Sequence, residues 1–204
     1  MLKVGVVGCG HLGKIHTKLL SQSENYKLIG IYDKDNEESI RVSNEFKCTS
    51  FESFDSLLDS VDVIDIVAPT PFHFNYAKQA INKNKHVFIE KPVCTTSKES
   101  EELIKLGDLK NVKIQVGHVE RFNPAFTKVE SEISKPMFIE SHRLAKFNPR
   151  GTDVSVVLDL MIHDIDIILK TVDSKVKDIL SSGVSVISET PDIANARIEF
   201  ENGC

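Results

Sequence analysis

The sequence predicts a two-part α/β chain: a parallel-sheet domain over residues 1–119, then an α+β domain over residues 120–204 on a mainly antiparallel open sheet. Three observations carry this. Apolar runs alternate with helical patterns through the first part, as strand–helix–strand units covered on both faces require. A glycine turn, Gly8-Cys9-Gly10-His11-Leu12-Gly13, separates the first strand from the first helix. Beyond Gly117, helices are followed by strands that are neighbours in sequence, the order of an α+β layer.

The first stretch organises the rest. Leu2, Val4, Val6 and Val7 lead into the glycine turn, a helical pattern runs through Leu19 and Leu20, and a second apolar run, Leu28 to Tyr32, ends on Asp33. Gly8 permits a tight turn, Gly10 lacks the Cβ that would keep a pyrophosphate from the backbone, and Gly13 lets the helix lie close on the strand. The first helical turn, with His11 and Leu12, offers free N–H groups and a positive dipole end to phosphates. Asp33 follows Gly13 by 20 residues, where an acid holds the ribose hydroxyls of an adenosine; a 2′-phosphate would meet its charge, so NAD is favoured over NADP. The expectation is a Rossmann dinucleotide-binding domain.

Composition narrows the class. With 41% hydrophobic and 27% charged residues the chain can build an ordinary core. A net charge of −5 offers no nucleic-acid footprint, which is a basic face or stripe, and no apolar run has membrane-spanning length. Neither nucleic acid nor membrane is expected as a partner. The first residues enter a strand at once, so no leader peptide is expected. Cys9, Cys48, Cys94 and Cys204 are scattered with no C-x-x-C pair, which predicts neither a metal site nor a disulfide framework and suits a reducing cytoplasm. Cys9 reads as a small side chain in the turn. His11, His16, His86 and His142 show no ligand spacing and read as structural, while His73 reads as a helix-start residue near the cofactor edge.

Further along, helices are predicted over 36–46, 73–82 and, capped by Thr96 or Ser97, through Glu99 to Glu102 and beyond; a short helical turn spans 54–58. Val61 to Ala68 is apolar except for Asp62 and Asp65, as a buried parallel strand should be, and ends at Pro69-Thr70-Pro71. His86 to Ile89 is a strand ending at Glu90-Lys91-Pro92, and Val112 to Val116 another. In the second part a helix is expected over 123–133, a strand over 137–146, a loop over 147–153, an apolar helix over 156–172, and strands over 176–187 and 193–200. The turn signal Glu201-Asn202-Gly203 stands where a returning strand should start, which predicts a truncated second domain.

Ligands bind beyond the carboxyl ends of strands in an open parallel sheet. The glycine turn, Asp33, Pro69-Thr70 with His73, and Glu90-Lys91 all fall at such ends. Lys91 can reach a substrate lying on a nicotinamide ring, or be a surface lysine beside Glu90; the residues alone leave both open. Asp159 and His163 are four apart on the late helix and share a face, as a proton-exchanging pair or as the solvated stripe of an amphipathic helix. Glu120, Arg121 and Asn123, at the crossover, suit sugar hydroxyls or a diphosphate; Asn123-Pro124 also reads as a helix cap followed by a first-turn proline.

The glycine turn, Pro69-Thr70-Pro71 with His73, Glu90-Lys91-Pro92 and Asp159-x-x-x-His163, in this order over essentially the whole chain, resemble the glucose–fructose oxidoreductase/inositol dehydrogenase (Gfo/Idh/MocA) family. The resemblance implies a Rossmann domain followed by an open-sheet domain that makes a homodimer or homotetramer when full length. It also implies a sugar-like secondary alcohol as substrate, with Lys91, Asp159 and His163 as the catalytic group and His163 as acid/base. More narrowly, His118-Val119-Glu120-Arg121-Phe122-Asn123-Pro124 and Asp153 to Asp166 resemble the branch that oxidises the 3-hydroxyl of UDP-N-acetylglucosamine, making a UDP-sugar the expected small-molecule partner. Two other readings stay open: an NAD-dependent glycoside hydrolase with no net redox change, and a non-catalytic NAD-binding regulator.

Overall fold

The computed structural model describes residues 1–145 and 154–204; the predicted loop 147–153 lies outside the described residues. The chain forms two compact units, Met1–Gly117 and His118–Cys204.

The first unit is a six-stranded parallel sheet. Its strands are β1 (Leu2–Val7), β2 (Tyr26–Tyr32), β3 (Thr49–Ser50), β4 (Val63–Ile66), β5 (His86–Ile89) and β6 (Ile114–Val116), in the order β3-β2-β1-β4-β5-β6. Strands β1 and β4 lie at the centre, and the order reverses between them, which opens a crevice at their carboxyl ends. Helices α1 (His11–Ser21), α2 (Asn36–Phe46), α3 (Phe54–Ser60), α4 (His73–Asn82) and α5 (Ser97–Lys110) make the crossovers.

Both faces of the sheet carry a core. On one, Leu57, Leu58, Ile64, Ile81, Ile89 and Leu103 are fully buried; on the other, Val6, Ile31 and Val42 pack with Leu20 and Phe46. Helix starts follow their local chemistry. Asp35 accepts from the Glu38 N–H at 3.2 Å, and Thr96, with Glu99, closes a reciprocal capping box on α5. The two-residue strand β3 was not expected; its pairing with β2 is too short to leave a periodic signal.

The second unit holds α6 (Pro124–Val129), α7 (Ile162–Thr171) and the antiparallel pair β7 (Val176–Val184) and β8 (Ile193–Phe200). Two expectations are corrected here. The helix predicted over 123–133 ends its α-helical part at Val129 and closes as a 3₁₀ turn, Glu130–Glu132. The strand predicted over 137–146 is not a strand at 137–145: β7 and β8 pair only with each other among the described residues, so this segment has no ladder to join. Alternating apolar residues establish which side is buried, not that a partner strand exists. Side chains hold the segment instead: Arg143 Nε donates to Asp164 Oδ2 at 2.7 Å and Ser141 Oγ to Asp164 Oδ1 at 2.9 Å. The predicted apolar helix starts with a π-helical turn, Val157–Met161, before α7. No helix among the described residues is long and apolar enough to cross a membrane.

Candidate dinucleotide site and the catalytic residues

The glycine turn has the geometry that its chemistry requires. Gly8 adopts φ +101°, and a Cβ there would stand 2.6 Å from the Ala68 backbone nitrogen. A Cβ on Gly13 would lie 1.9 Å from the Gly8 carbonyl oxygen, so α1 and the turn touch backbone to backbone. Gly10 differs: a Cβ there would meet nothing within 4 Å. No packing within the protein requires glycine there. Gly10 is also the N-cap of α1 and offers no side-chain cap, so the first helical N–H groups, at His11 and Leu12, stay open to an anion. A pyrophosphate fits this cradle.

Asp33 ends β2 as expected. Its Oδ2 accepts the Cys9 N–H at 2.6 Å and its Oδ1 the Asp35 N–H at 2.9 Å, which fixes the carboxylate toward the crevice. A cleft there is lined by Gly8, Asp33, Lys34, Pro69, Phe72 and Tyr76. The Lys34 ammonium sits 4.6 Å over the Phe72 ring. Lys34, Phe72 and Tyr76 were missed from sequence; the available signal was their place just after strand ends, Lys34 after β2 and Phe72 after β4. Asp33→Ala is expected to weaken NAD more than NADP, shifting the ratio of their Kd values by about 10-fold or more, the loss expected for hydrogen bonds to a charged group. Titrating both cofactors checks it. Loss of the Cys9 and Asp35 bonds would weaken both alike, so an unchanged ratio would mean the ribose is read elsewhere.

Burial and the Asp33 carboxylate push the Cys9 thiol up to about 12, so it stays protonated and acts as the small buried side chain expected. Thr70 is buried beneath the crevice edge. His73 does not present a ring nitrogen to the cofactor edge. It is 1% exposed, with Nδ1 2.9 Å from the Pro92 carbonyl and Nε2 2.7 Å from the Ala68 carbonyl. It clamps the ends of β4 and β5 to each other. That tertiary pairing has no trace in the local sequence.

Lys91 stands half-buried at the carboxyl end of β5, before a cis peptide to Pro92. Glu90 is engaged by the protein itself. Its Oε2 accepts the Lys91 backbone N–H at 3.1 Å and its Oε1 lies 3.3 Å from His16 Nε2.

In the second unit, Asp159 lies in the π-helical turn and His163 in the first turn of α7, both half-buried. A cavity of about 460 Å³ flanks this helix, lined in part by Arg143, Leu160, Asp164 and Ile193, but neither Asp159 nor His163 lines it. The crossover residues are engaged with their own unit. Arg121 makes a bidentate pair with Asp166, Nε to Oδ2 at 2.7 Å and Nη2 to Oδ1 at 2.6 Å. Burial alone would raise the Asp166 carboxyl; the Arg121 pair outweighs it and holds the group below the usual range. Asn123 caps α6, accepting from the Ala125 N–H at 3.0 Å, and its Nδ2 donates to Glu120 at 3.0 Å. Asn123 therefore fills the capping role that its Asn-Pro pair allowed. Among the described residues no group of acids, histidines and cysteines could hold a metal.

Comparison with known proteins agrees with this geometry. Residues 2–118 match the family model described as an oxidoreductase family with an NAD-binding Rossmann fold. The chain is 34% identical, over 203 residues, to the UDP-N-acetylglucosamine 3-dehydrogenase of Acidithiobacillus ferrooxidans, covering 99% of this chain and 64% of that protein. It superposes on the solved structure of that enzyme with a TM-score of 0.93, covering 66% of the solved chain. Scyllo-inositol dehydrogenase of Lactobacillus casei, solved with NAD(H) and scyllo-inositol, shares the fold at a TM-score of 0.82 and 22% identity. The chain thus spans just under two thirds of the length of the first of these relatives. A family model matching more than half of the chain, over the unit that carries the glycine cradle, settles the affiliation: the chain belongs to the Gfo/Idh/MocA oxidoreductase family, with its NAD-binding Rossmann fold.

Proposed function

We propose that the full-length protein is an NAD-dependent dehydrogenase of a nucleotide sugar, oxidising the 3-hydroxyl of UDP-N-acetylglucosamine. The observation that carries this reading is the 34% identity to an enzyme of that name, sustained over 99% of the chain and through both units. NAD, when bound at the glycine cradle, supplies a hydride acceptor. The chain's own residues do the rest. Gly10 and the first turn of α1 hold the diphosphate, and Asp33 holds the adenosine ribose. The Lys91 ammonium stabilises the negative charge that develops on the substrate oxygen, a task worth most where water is excluded. His163 accepts the hydroxyl proton, as an imidazole near neutral pH does well. Asp159 orients the substrate or that imidazole. Glu120 and Arg121 contribute through the walls of the substrate site. The full-length protein works as a homodimer or homotetramer in the cytoplasm, a setting that suits four free cysteines.

The test is NADH formation by the full-length protein with a panel of UDP-sugars and free polyols, with a 3-keto-sugar aminotransferase present to draw the equilibrium. NADH is expected with UDP-N-acetylglucosamine alone. NADH from a free polyol instead, or release of a free sugar without NADH, would overturn the substrate or the reaction respectively.

A further inference from the structure

A chain of ionisable groups, buried at Asp65 and half-buried at His16 and Glu90, runs beneath the Lys91 corner, and none of its three members was singled out from sequence for this role. Asp65, in the middle of β4, is 5% exposed. A carboxylate in a core strand is costly unless a partner holds it. Its partner is His16 on α1, whose Nδ1 lies 2.9 Å from Asp65 Oδ2; Asp65 Oδ1 is buried without a hydrogen bond. The other nitrogen of the same ring, Nε2, lies 3.3 Å from Glu90 Oε1. Phe88 packs against the ring at 5.8 Å between centroids. From the β6 side the Glu90 carboxylate is walled by Gly117, where a Cβ would stand 2.8 Å from Oε1. Its remaining oxygen, Oε2, receives the Lys91 backbone N–H.

We propose that His16 is a positioning residue for the reaction: anchored in the core by Asp65, it grips the Glu90 carboxylate and so sets the backbone from which the Lys91 side chain departs. This rests on the reading of Lys91 as catalytic. Asp65 within β4 and Glu90 just past β5 share one imidazole, so the ring ties helix α1 to both strands. Burial by itself would lower the His16 titration; the bonds to Asp65 and Glu90 outweigh it and raise the ring to about 10. The acidic groups facing it are Asp65 from β4 and Glu90 from the end of β5. The two nitrogens of one ring are thus held by two acids; at Asp65 burial raises the carboxyl more than the His16 bond lowers it.

Two substitutions separate positioning from plain structure. In His16→Asn the amide nitrogen replaces Nδ1 and keeps the Asp65 bond while losing Glu90. In His16→Gln it replaces Nε2 and reaches Glu90 while losing Asp65. The chain is assayed with NAD bound, under the conditions proposed above. His16→Asn is expected to lower kcat on the order of 10- to 100-fold, as a small misplacement of a reacting group does, with the KM for NAD and the melting temperature little changed. His16→Gln is expected to keep more of kcat while melting lower. The opposite order, kcat following melting temperature, would overturn the proposal. A readout without substrate is the ¹⁵N spectrum of the His16 ring at pH 8.5. It is expected to be an imidazolium in the wild type and to lose its charge in Glu90→Gln. If the wild type makes no NADH, the substrate reading fails and this spectrum decides alone: a ring charge indifferent to Glu90→Gln overturns the grip, and a dependent one supports it.

Discussion

Replacing Lys91 with alanine is expected to lower kcat by about 10²- to 10⁴-fold, and His163→Ala by a similar factor, the usual range for loss of a charge stabiliser or a general base. That corresponds to roughly 3–5 kcal/mol of transition-state stabilisation at 1.36 kcal/mol per tenfold. NAD affinity should stay nearly intact in both, because on the proposed reading the dinucleotide is held chiefly by the glycine turn, the start of α1 and Asp33. Steady-state kinetics of the full-length enzyme with a separate NAD titration checks the split. Near-normal turnover in both variants would remove Lys91 and His163 from the catalytic group. Loss of turnover with equal loss of NAD binding would mean that these residues serve the cofactor.

The second large effect separates two glycines only three residues apart. Gly10→Ala is expected to fold with an unchanged melting temperature, since its Cβ meets nothing within 4 Å and its φ of −65° suits alanine. It should nevertheless weaken NAD on the order of 100-fold, because the methyl occupies the space in which phosphate oxygens meet the backbone. Gly13→Ala is expected to lose both. Its Cβ would lie 1.9 Å from the Gly8 carbonyl oxygen, and neither backbone can step aside without moving α1 from β1. Overpacking of this kind costs about 1–3 kcal/mol or more. Thermal melting with calorimetric titration of NAD reads both quantities. A Gly10 variant that binds NAD normally would remove the cradle from the argument.

The glycine turn and Asp33 were legible in the sequence because each requirement is local: a positive φ, a missing Cβ, an acid at a fixed distance. The cap expected at Thr96 or Ser97 was legible for the same reason, and Thr96 fills it. What stayed hidden depends on who the neighbour is. His16 looked structural because its partners lie 49 residues away at Asp65 and farther still at Glu90, and nothing near it in sequence announces either. His73 starts its helix as expected, but its nitrogens are engaged by the Ala68 and Pro92 carbonyls. Arg121 was expected to suit sugar hydroxyls or a diphosphate; its pairing with Asp166, 45 residues on, left no trace in the local sequence. The strand expected over 137–146 failed for the complementary reason: the pattern existed but no strand stood beside it.

The π-helical turn at Val157–Met161 has a consequence for how this protein can be improved. Such a turn winds one residue too many into the space of an ordinary helical turn. Removing one residue would let the segment rewind as plain α-helix, with better hydrogen bonds. It would also swing everything on its N-terminal side, Asp159 included, by about 100° relative to His163, the angle of one residue on an α-helix. Rigidity and alignment pull in opposite directions across five residues here. Selection for heat resistance alone would find that excision attractive; if Asp159 and His163 act together as proposed, selection for turnover would refuse it.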